Sequence, residues 1–548
     1  MEKSNVENRI LILIIIFVFI STLLWARLFF LSVMRHDYYL ARTSNNLADP
    51  GISGRGSIFL TDKDSLPYAV ALNREFPLIY AVPKSIKDPQ VTAKKLAPIL
   101  ELDENFLIEK LSRSDDPYEV LKRKVSDETI VQIQVLGEEG INVEEEVLRY
   151  YPTVGLLDHL IGFLGFDKNG ALAGQYGLEE YYDEKLRGKP GGGRGEDLIL
   201  TIDSSIQSEA AALIENAVTK WQGTAGSIIV MEPKTGEIIA MSLYPGFDAN
   251  NYSAVKDRSI FINSMVQGLF EPGSIFKPLT MAIGIEIGAV TPTTQYYDSG
   301  EVRIGSYVIK NSTEKNYGYQ TMTDVLEKSL NTGAIFVEQK VPKDAFLKYL
   351  KDFELDKKTY IDLPEARGNL ANLETGRDIN YATASFGQGV AFTPIEFLRA
   401  INIIANSGRL VQPHIVKRII NPDGRVTEIS SVEGKQVISS ETSAKLTSMM
   451  IKAVENGSGR SAKILGYNIA GKTGTAQVPN FDKPGYSDET IHSFVGFAPA
   501  YSPRFIALIK IDKPRGVRFA ESTSVPVFHD LAQFIFSYWK IPPDQPVQ

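Results

Sequence analysis

Four serine–lysine pairs in this chain have the spacing S-x-x-K: Ser253/Lys256, Ser274/Lys277, Ser312/Lys315 and Ser537/Lys540. On a helix, residues three apart share a face, and that pairing suits acyl transfer. A serine hydroxyl attacks a carbonyl only when a neighbour removes its proton. A neutral lysine can do this where burial and a second cation lower its pKa. Chance alone gives about two such pairs in a chain of this size, so position must select among them. Ser253 and Ser312 fall in polar stretches, and Ser537 falls late in the C-terminal segment. Only Ser274 follows Pro272-Gly273 and opens a long apolar run, the signature of a helix start. Backbone N–H groups and the helix dipole there favour a developing oxyanion.

Two other elements could complete the chemistry. Ser329-Leu330-Asn331 follows the helical run TMTDVLEKSLNTGA, so a hydroxyl and an amide could face Lys277 and a bound substrate amide. A helix C-terminus closing on Asn331-Thr332-Gly333 is the other reading. Lys472-Thr473-Gly474-Thr475 follows the apolar YNIAG. This string arises by chance in about one such chain in a hundred. On a strand, Lys472 could supply the second cation, and Gly474 would permit close backbone approach. Thr473 and Thr475 could hold a carboxylate.

The surrounding elements must bring these segments together. LILTIDSSIQSEAAALIENAV reads as a strand and an amphipathic helix capped at Asp203. GSIIVMEPKTGEIIAMSLYP is a hairpin turning at Pro233 and Gly236. Long helical patterns dominate to about Asn456. HSFVGFAP and RFIALIKID then return to strands, before a final helix near Val527–Trp539. Strands, helices and strands again predict an α/β domain, a mixed sheet covered by helices. Upstream, ALNREFPLIYAVP reads as strand broken by prolines. DPQVTAKKLAPILELDENFLIEKLSR reads as two short helices, and GLEEYYDEKLRG as another helical piece closed by glycine. KPGGGRG, from Lys189 to Gly195, marks the best domain boundary.

At 548 residues the chain predicts two or three domains. A net charge of −8 argues against nucleic acid as a partner. With no cysteine there is no disulfide frame, thiolate zinc site or cysteine nucleophile. The five histidines show no HExxH spacing, so neither metal nor cofactor is expected. Ile10 to Met34 is apolar except for Arg27, long enough to cross a bilayer core of roughly 30 Å. The apolar run resumes as LFFLSV after Arg27. That length favours an uncleaved anchor over a signal peptide. Lys3 and Arg9 before the span, against Arg27 and Arg35 at its far side, give little charge asymmetry for orientation.

S-x-x-K, S-x-N and K-T-G in this order resemble the active-serine penicillin-recognising enzymes. EPGSIFKP, SLN, KTGTAQ, FVGFAPAYSPR and TPIEFLRAINIIANSG together resemble a class B penicillin-binding protein, with a lean toward septal-division members. RGSI and HLIGFLG…YGLEEYYDEKLRG resemble that family's non-catalytic pedestal, so the likeness spans nearly the whole chain. One departure is visible: the pedestal motif usually places aspartate five residues after arginine, but Leu60 stands there, with Asp62 and Asp64 following.

The resemblance implies a short inner tail at 1–9, an anchor at 10–34 and a dimerisation-type pedestal at 35–194. A transpeptidase domain would fill 195–541, with a tail at 542–548. It implies Ser274 as acylated nucleophile, Lys277 as general base, and Ser329 and Asn331 as proton relay and peptide grip. Lys472, Thr473, Gly474 and Thr475 would bind the terminal carboxylate, with the Ser274 and Thr475 N–H groups as oxyanion hole. The implied substrate is the D-Ala-D-Ala end of a peptidoglycan stem peptide, cross-linked outside the cytoplasm with release of D-Ala. β-Lactams would be inhibitors. The implied partners are a membrane glycan polymerase, other wall-synthesis or division proteins, and a second copy in a homodimer. A DD-carboxypeptidase and a non-catalytic β-lactam-binding sensor or scaffold are the alternatives.

Overall fold

A computed structural model describes residues 2–30, 32, 54–168, 170–188, 193–480 and 485–546. The last residues of the expected anchor (31, 33 and 34) and most of the glycine-rich junction (189–192) lie outside them.

The N-terminal helix spans Glu2–Phe29. Its stretch Leu11–Phe29 is 19 residues long, has mean hydropathy 2.6 and buries nothing against the rest of the chain. At 1.5 Å per residue it is long enough to span a hydrocarbon core.

The chain, the N-terminal helix included, divides into two compact units. The smaller includes residues 73–150. Helices Pro89–Leu100, Glu104–Leu111 and Asp127–Leu136 start at Asp88, Asp103 and Ser126, whose side chains accept from backbone N–H groups of the first turn. Their apolar residues Leu96, Leu107, Leu111 and Ile133 meet Ile79 and Leu121 in one core. The strand expected to break at its prolines instead runs unbroken from Tyr68 to Ala81. Pro77 has no donor to give, but its carbonyl accepts from Val125 N at 3.2 Å, so pairing continues.

The larger unit holds residues 56–72, 151–187 and 194–548. Its centre is a five-stranded antiparallel sheet built from both ends of the unit. The predicted hairpin supplies β1 (Ala225–Met231) and β2 (Ile238–Tyr244). The late segments supply β3 (Ala470–Pro479), β4 (Tyr486–Ala498) and β5 (Phe505–Asp512), in the order β3-β4-β5-β1-β2. A separate sheet pairs Ile58–Thr61 in parallel with Asp197–Asp203.

Alternation along the strands explains why helices cover both faces. Ile228 and Val230 of β1, with Phe494 and Phe505, pack against Ile206, Ala210, Phe528 and Leu531 from helices Ser204–Lys220 and Ser524–Tyr538. Ile229, Val495 and Leu508 face Leu279, Ile283, Val325 and Met450 on the other side. Each such fully buried side chain contributes about 2 kcal/mol.

The stretch expected to be helical up to Asn456 also contains short strands at Gln295–Asp298, Glu301–Ile304, Tyr307–Lys310 and Gly318–Thr321. Others follow between Arg409 and Gln436. Strands of three to five residues are too short for a two-residue period to stand out.

Candidate active site

Ser274 lies in a 3-10 turn, Gly273–Phe276, that runs directly into helix Lys277–Glu286. In such a turn residues i and i+3 eclipse. Lys277 Nζ accordingly sits 3.0 Å from Ser274 Oγ. The turn is held from two sides. Gly273 takes a φ of +58°, and its N–H donates to Gly387 O at 3.0 Å. Glu271 accepts from Gly389 N at 3.0 Å and from Tyr486 Oη at 2.9 Å.

The S-x-N segment links two helices. Helix Met322–Glu327 begins in a capping box between Thr321 and Asp324. Helix Asn331–Lys340 follows, and Ser329 between them adopts φ +57°. Neither helix ends as the composition of Asn331-Thr332-Gly333 allowed: Asn331 opens a helix. The bend delivers two Ser329 atoms to Lys277, the carbonyl at 2.6 Å and Oγ at 3.2 Å.

Lys472 reaches the same hydroxyl from β3, its Nζ 3.0 Å from Ser329 Oγ. It also donates to Thr473 O at 3.1 Å and lies 3.3 Å from Thr473 Oγ1. Gly474 pairs with Ser493 across the sheet. A Cβ at Gly474 would lie 2.3 Å from Ser493 Oγ and 3.1 Å from Pro272 O. The strand can therefore approach the Ser274 turn this closely only with glycine there.

Both lysines are buried. Burial, and then the charge of Lys472, hold Lys277 well below the usual lysine range. Burial pushes Lys472 down to about 7. Burial thus favours the neutral form of both amines, and Lys277 also feels the charge of Lys472.

Ser274, Ser329, Asn331, Thr473 and Thr475 line one cleft of about 660 Å³. Asn331 meets the cleft but neither lysine: its Nδ2 donates to Lys310 O at 2.9 Å. Thr475 Oγ1 accepts from Ala520 N at 3.2 Å, which leaves its own hydroxyl proton free to donate. Of the other serines in S-x-x-K spacing, Ser312 reaches the cleft rim, whereas Ser537 lies in the last helix.

Several supporting residues carried no sequence signal. Ser458 Oγ lies 2.6 Å from Thr473 Oγ1. Buried Asp298 accepts from Thr332 Oγ1 at 2.7 Å, Asn311 Nδ2 at 3.0 Å and Tyr317 N at 3.0 Å. Asn311 Oδ1 in turn accepts from Asn331 N at 2.9 Å, fixing the start of that helix. These are ordinary polar residues far from the motifs in sequence, and only the fold unites them. No group of His, Cys, Asp and Glu among the described residues could hold a metal ion. The arrangement offers a hydroxyl beside a buried amine of lowered pKa, a shared hydroxyl, and a second amine flanked by threonine donors. Such a set can form and break an ester next to a bound carboxylate.

Comparison with known proteins gives independent findings. Residues 226–533 match the penicillin-binding protein transpeptidase domain, and residues 52–196 the penicillin-binding protein dimerisation domain. Stage V sporulation protein D of Bacillus subtilis is 32% identical, over 96% of this chain and 85% of that protein. A peptidoglycan D,D-transpeptidase FtsI homolog of Mesostigma viride is 28% identical, over 98% of this chain and 97% of its own length. Among solved structures, penicillin-binding protein 3 of Mycobacterium tuberculosis complexed with aztreonam superposes with a TM-score of 0.70 at 25% identity, covering 90% of this chain and 98% of that one.

Proposed function

Since the chain belongs to the penicillin-binding protein transpeptidases, we propose that Ser274 is its acylated nucleophile and Lys277 the base that activates it. The protein is a serine-type peptidoglycan D,D-transpeptidase of the class B kind, a β-lactam target acting in cell-wall synthesis and cell division. The observation that carries the assignment of residues is the 3.0 Å contact between Ser274 Oγ and the buried Lys277 Nζ, whose pKa burial lowers.

In this reading Lys472, Thr473 and Thr475 hold the terminal carboxylate of a D-Ala-D-Ala stem peptide, across the strand that Gly474 lets come near. Ser274 Oγ attacks the carbonyl carbon of the penultimate residue while its proton passes to Lys277. The C–N bond then breaks, and the proton moves through Ser329 Oγ to the departing amine of D-Ala. An amine from a neighbouring stem attacks the resulting ester. Its proton travels the reverse route to Ser274 Oγ as the acyl carbon is released. Backbone N–H groups of Ser274 and Thr475 would stabilise the oxyanion in both steps, and Asn331 would hold the peptide backbone.

The domain reading keeps the pedestal at 35–194 and the transpeptidase domain at 195–541. The N-terminal helix makes this a single-pass membrane protein, with the catalytic domain assigned outside the cytoplasm, where the substrate lies. A membrane glycan polymerase and a septal assembly are the partners this reading favours.

Fluorescent penicillin labelling of the wild type and Ser274→Ala tests the assignment. Labelling is expected to vanish, and persistence in the variant overturns the nucleophile. Product analysis with and without an amine acceptor separates transfer from hydrolysis.

A further inference from the structure

Arg518 is one of the cations of the cleft to which the acylation chemistry gives no task. Arg518 stands exposed on the rim, over the Phe519 ring at 5.0 Å, and its Nη2 donates to Ser312 O at 3.2 Å. A guanidinium has five N–H donors and prefers a carboxylate that engages two of them. Among the described residues no carboxylate forms a salt bridge with it.

Its place in the cleft follows from a neighbour. Ala520, two residues on, donates its N–H to Thr475 Oγ1 at 3.2 Å. Arg518 is therefore tied to the side of the cleft where the terminal D-Ala sits and from which it departs. The acceptor amine must reach the ester carbon along the path the leaving amine takes, since making and breaking the two amides are the same step in opposite directions. A side chain on this rim meets the incoming strand.

The charges nearby narrow what that strand carries. Glu314, Asp488 and Glu521 line the same cleft together with Lys310 and Lys328, so it presents both signs of charge around Arg518. A ligand bearing an ammonium and a carboxylate close together satisfies both signs.

We propose that Arg518 binds a carboxylate of the acceptor stem peptide close to its reacting amine, and so selects acceptors whose amine-bearing residue ends as an amino acid does. This rests on the acyl-transfer reading of Ser274.

The test uses the full chain in detergent with a D-Ala-D-Ala donor peptide and two acceptor stem peptides. One has a free carboxylate beside the acceptor amine, and the other has that carboxylate amidated. The readout is the ratio of kcat/KM for the free over the amidated acceptor. Arg518→Gln is expected to lower this ratio about tenfold or more, mainly through KM for the free-carboxylate acceptor. Arg518→Lys, which keeps the charge but not the fork, is expected to fall between. An unchanged ratio overturns the proposal, whatever happens to the total rate. Fluorescent penicillin labelling of the same samples keeps the readings apart. Labelled protein with an unchanged ratio sinks the Arg518 assignment alone, whereas wild-type protein that takes no label sinks the acyl-transfer reading beneath it.

Discussion

Lys277 and Lys472 converge on one oxygen, their Nζ atoms 3.2 and 3.0 Å from Ser329 Oγ. Two ammonium groups cannot both stay charged so close together in a buried site. Burial and then its neighbour's charge both lower the pKa of Lys277, which favours its neutral form. In the proposed mechanism Ser329 is the bridge by which a proton taken from Ser274 leaves Lys277 without entering solvent.

Replacing the base tests this division of labour. Lys277→Ala should slow acylation by a β-lactam about 10²- to 10⁴-fold. Lys277→Arg should be no better, since a guanidinium stays protonated at any working pH. Stopped-flow acylation rates check both.

The two lysines also set a pH profile. Lys277 acts only when neutral, and its pKa is lowered, so the acylation rate should rise as pH increases through that depressed value. Lys472 acts as a cation and loses its proton near 7, so the grip on a carboxylate should weaken above that pH. The second-order acylation constant is expected to be bell-shaped for a β-lactam with a free carboxylate. With the carboxylate esterified, the alkaline fall should disappear. Rates measured from pH 5 to 9 distinguish the two.

Gly474→Ala should damage fold and chemistry together. The added Cβ would lie 2.3 Å from Ser493 Oγ and 3.1 Å from both Ile275 Cγ2 and Pro272 O. Relieving these contacts means rotating the Ser493 hydroxyl and shifting β3 slightly from the Pro272–Ile275 segment beside Ser274, at a cost of about 1–3 kcal/mol. Thermal melting and penicillin labelling should both register the loss.

Asp298 offers a test away from the reacting atoms. Asp298→Ala removes the acceptor of four donors, Gly300 N, Asn311 Nδ2, Tyr317 N and Thr332 Oγ1. Buried donors left unpaired should cost about 3 kcal/mol. Calorimetry should show a lower Tm, and acylation should slow because Asn311 no longer fixes Asn331.

What the sequence made legible follows the range of each signal. Ser274 and Lys277 are three residues apart, so a local rule relates them, and the 3-10 turn honours it. Lys472 could be named because the K-T-G-T string is rare, and the β1–β2 and β4–β5 pairs were visible as apolar runs. Asn331 was named from its motif, but its amide contact with Lys310 O depends on a four-residue strand with no period to read. Ser458, Asp298 and Asn311 act through side-chain hydrogen bonds between segments separated in sequence. Pro77 misled because its lack of a donor is visible in sequence, whereas the acceptor role of its carbonyl is a property of the neighbouring chain.

The left-handed bend at Ser329 has a consequence for how this site can change. At φ +57° the backbone would be more relaxed with glycine, while the chemistry needs the hydroxyl. The two demands pull the position toward different residues. A variant that gains stability here by adopting glycine would surrender the oxygen shared by both lysines, and alanine would lose it without easing the bend. Cells escaping a β-lactam by mutation thus have little room at this position, and resistance should accumulate instead along the rim of the cleft.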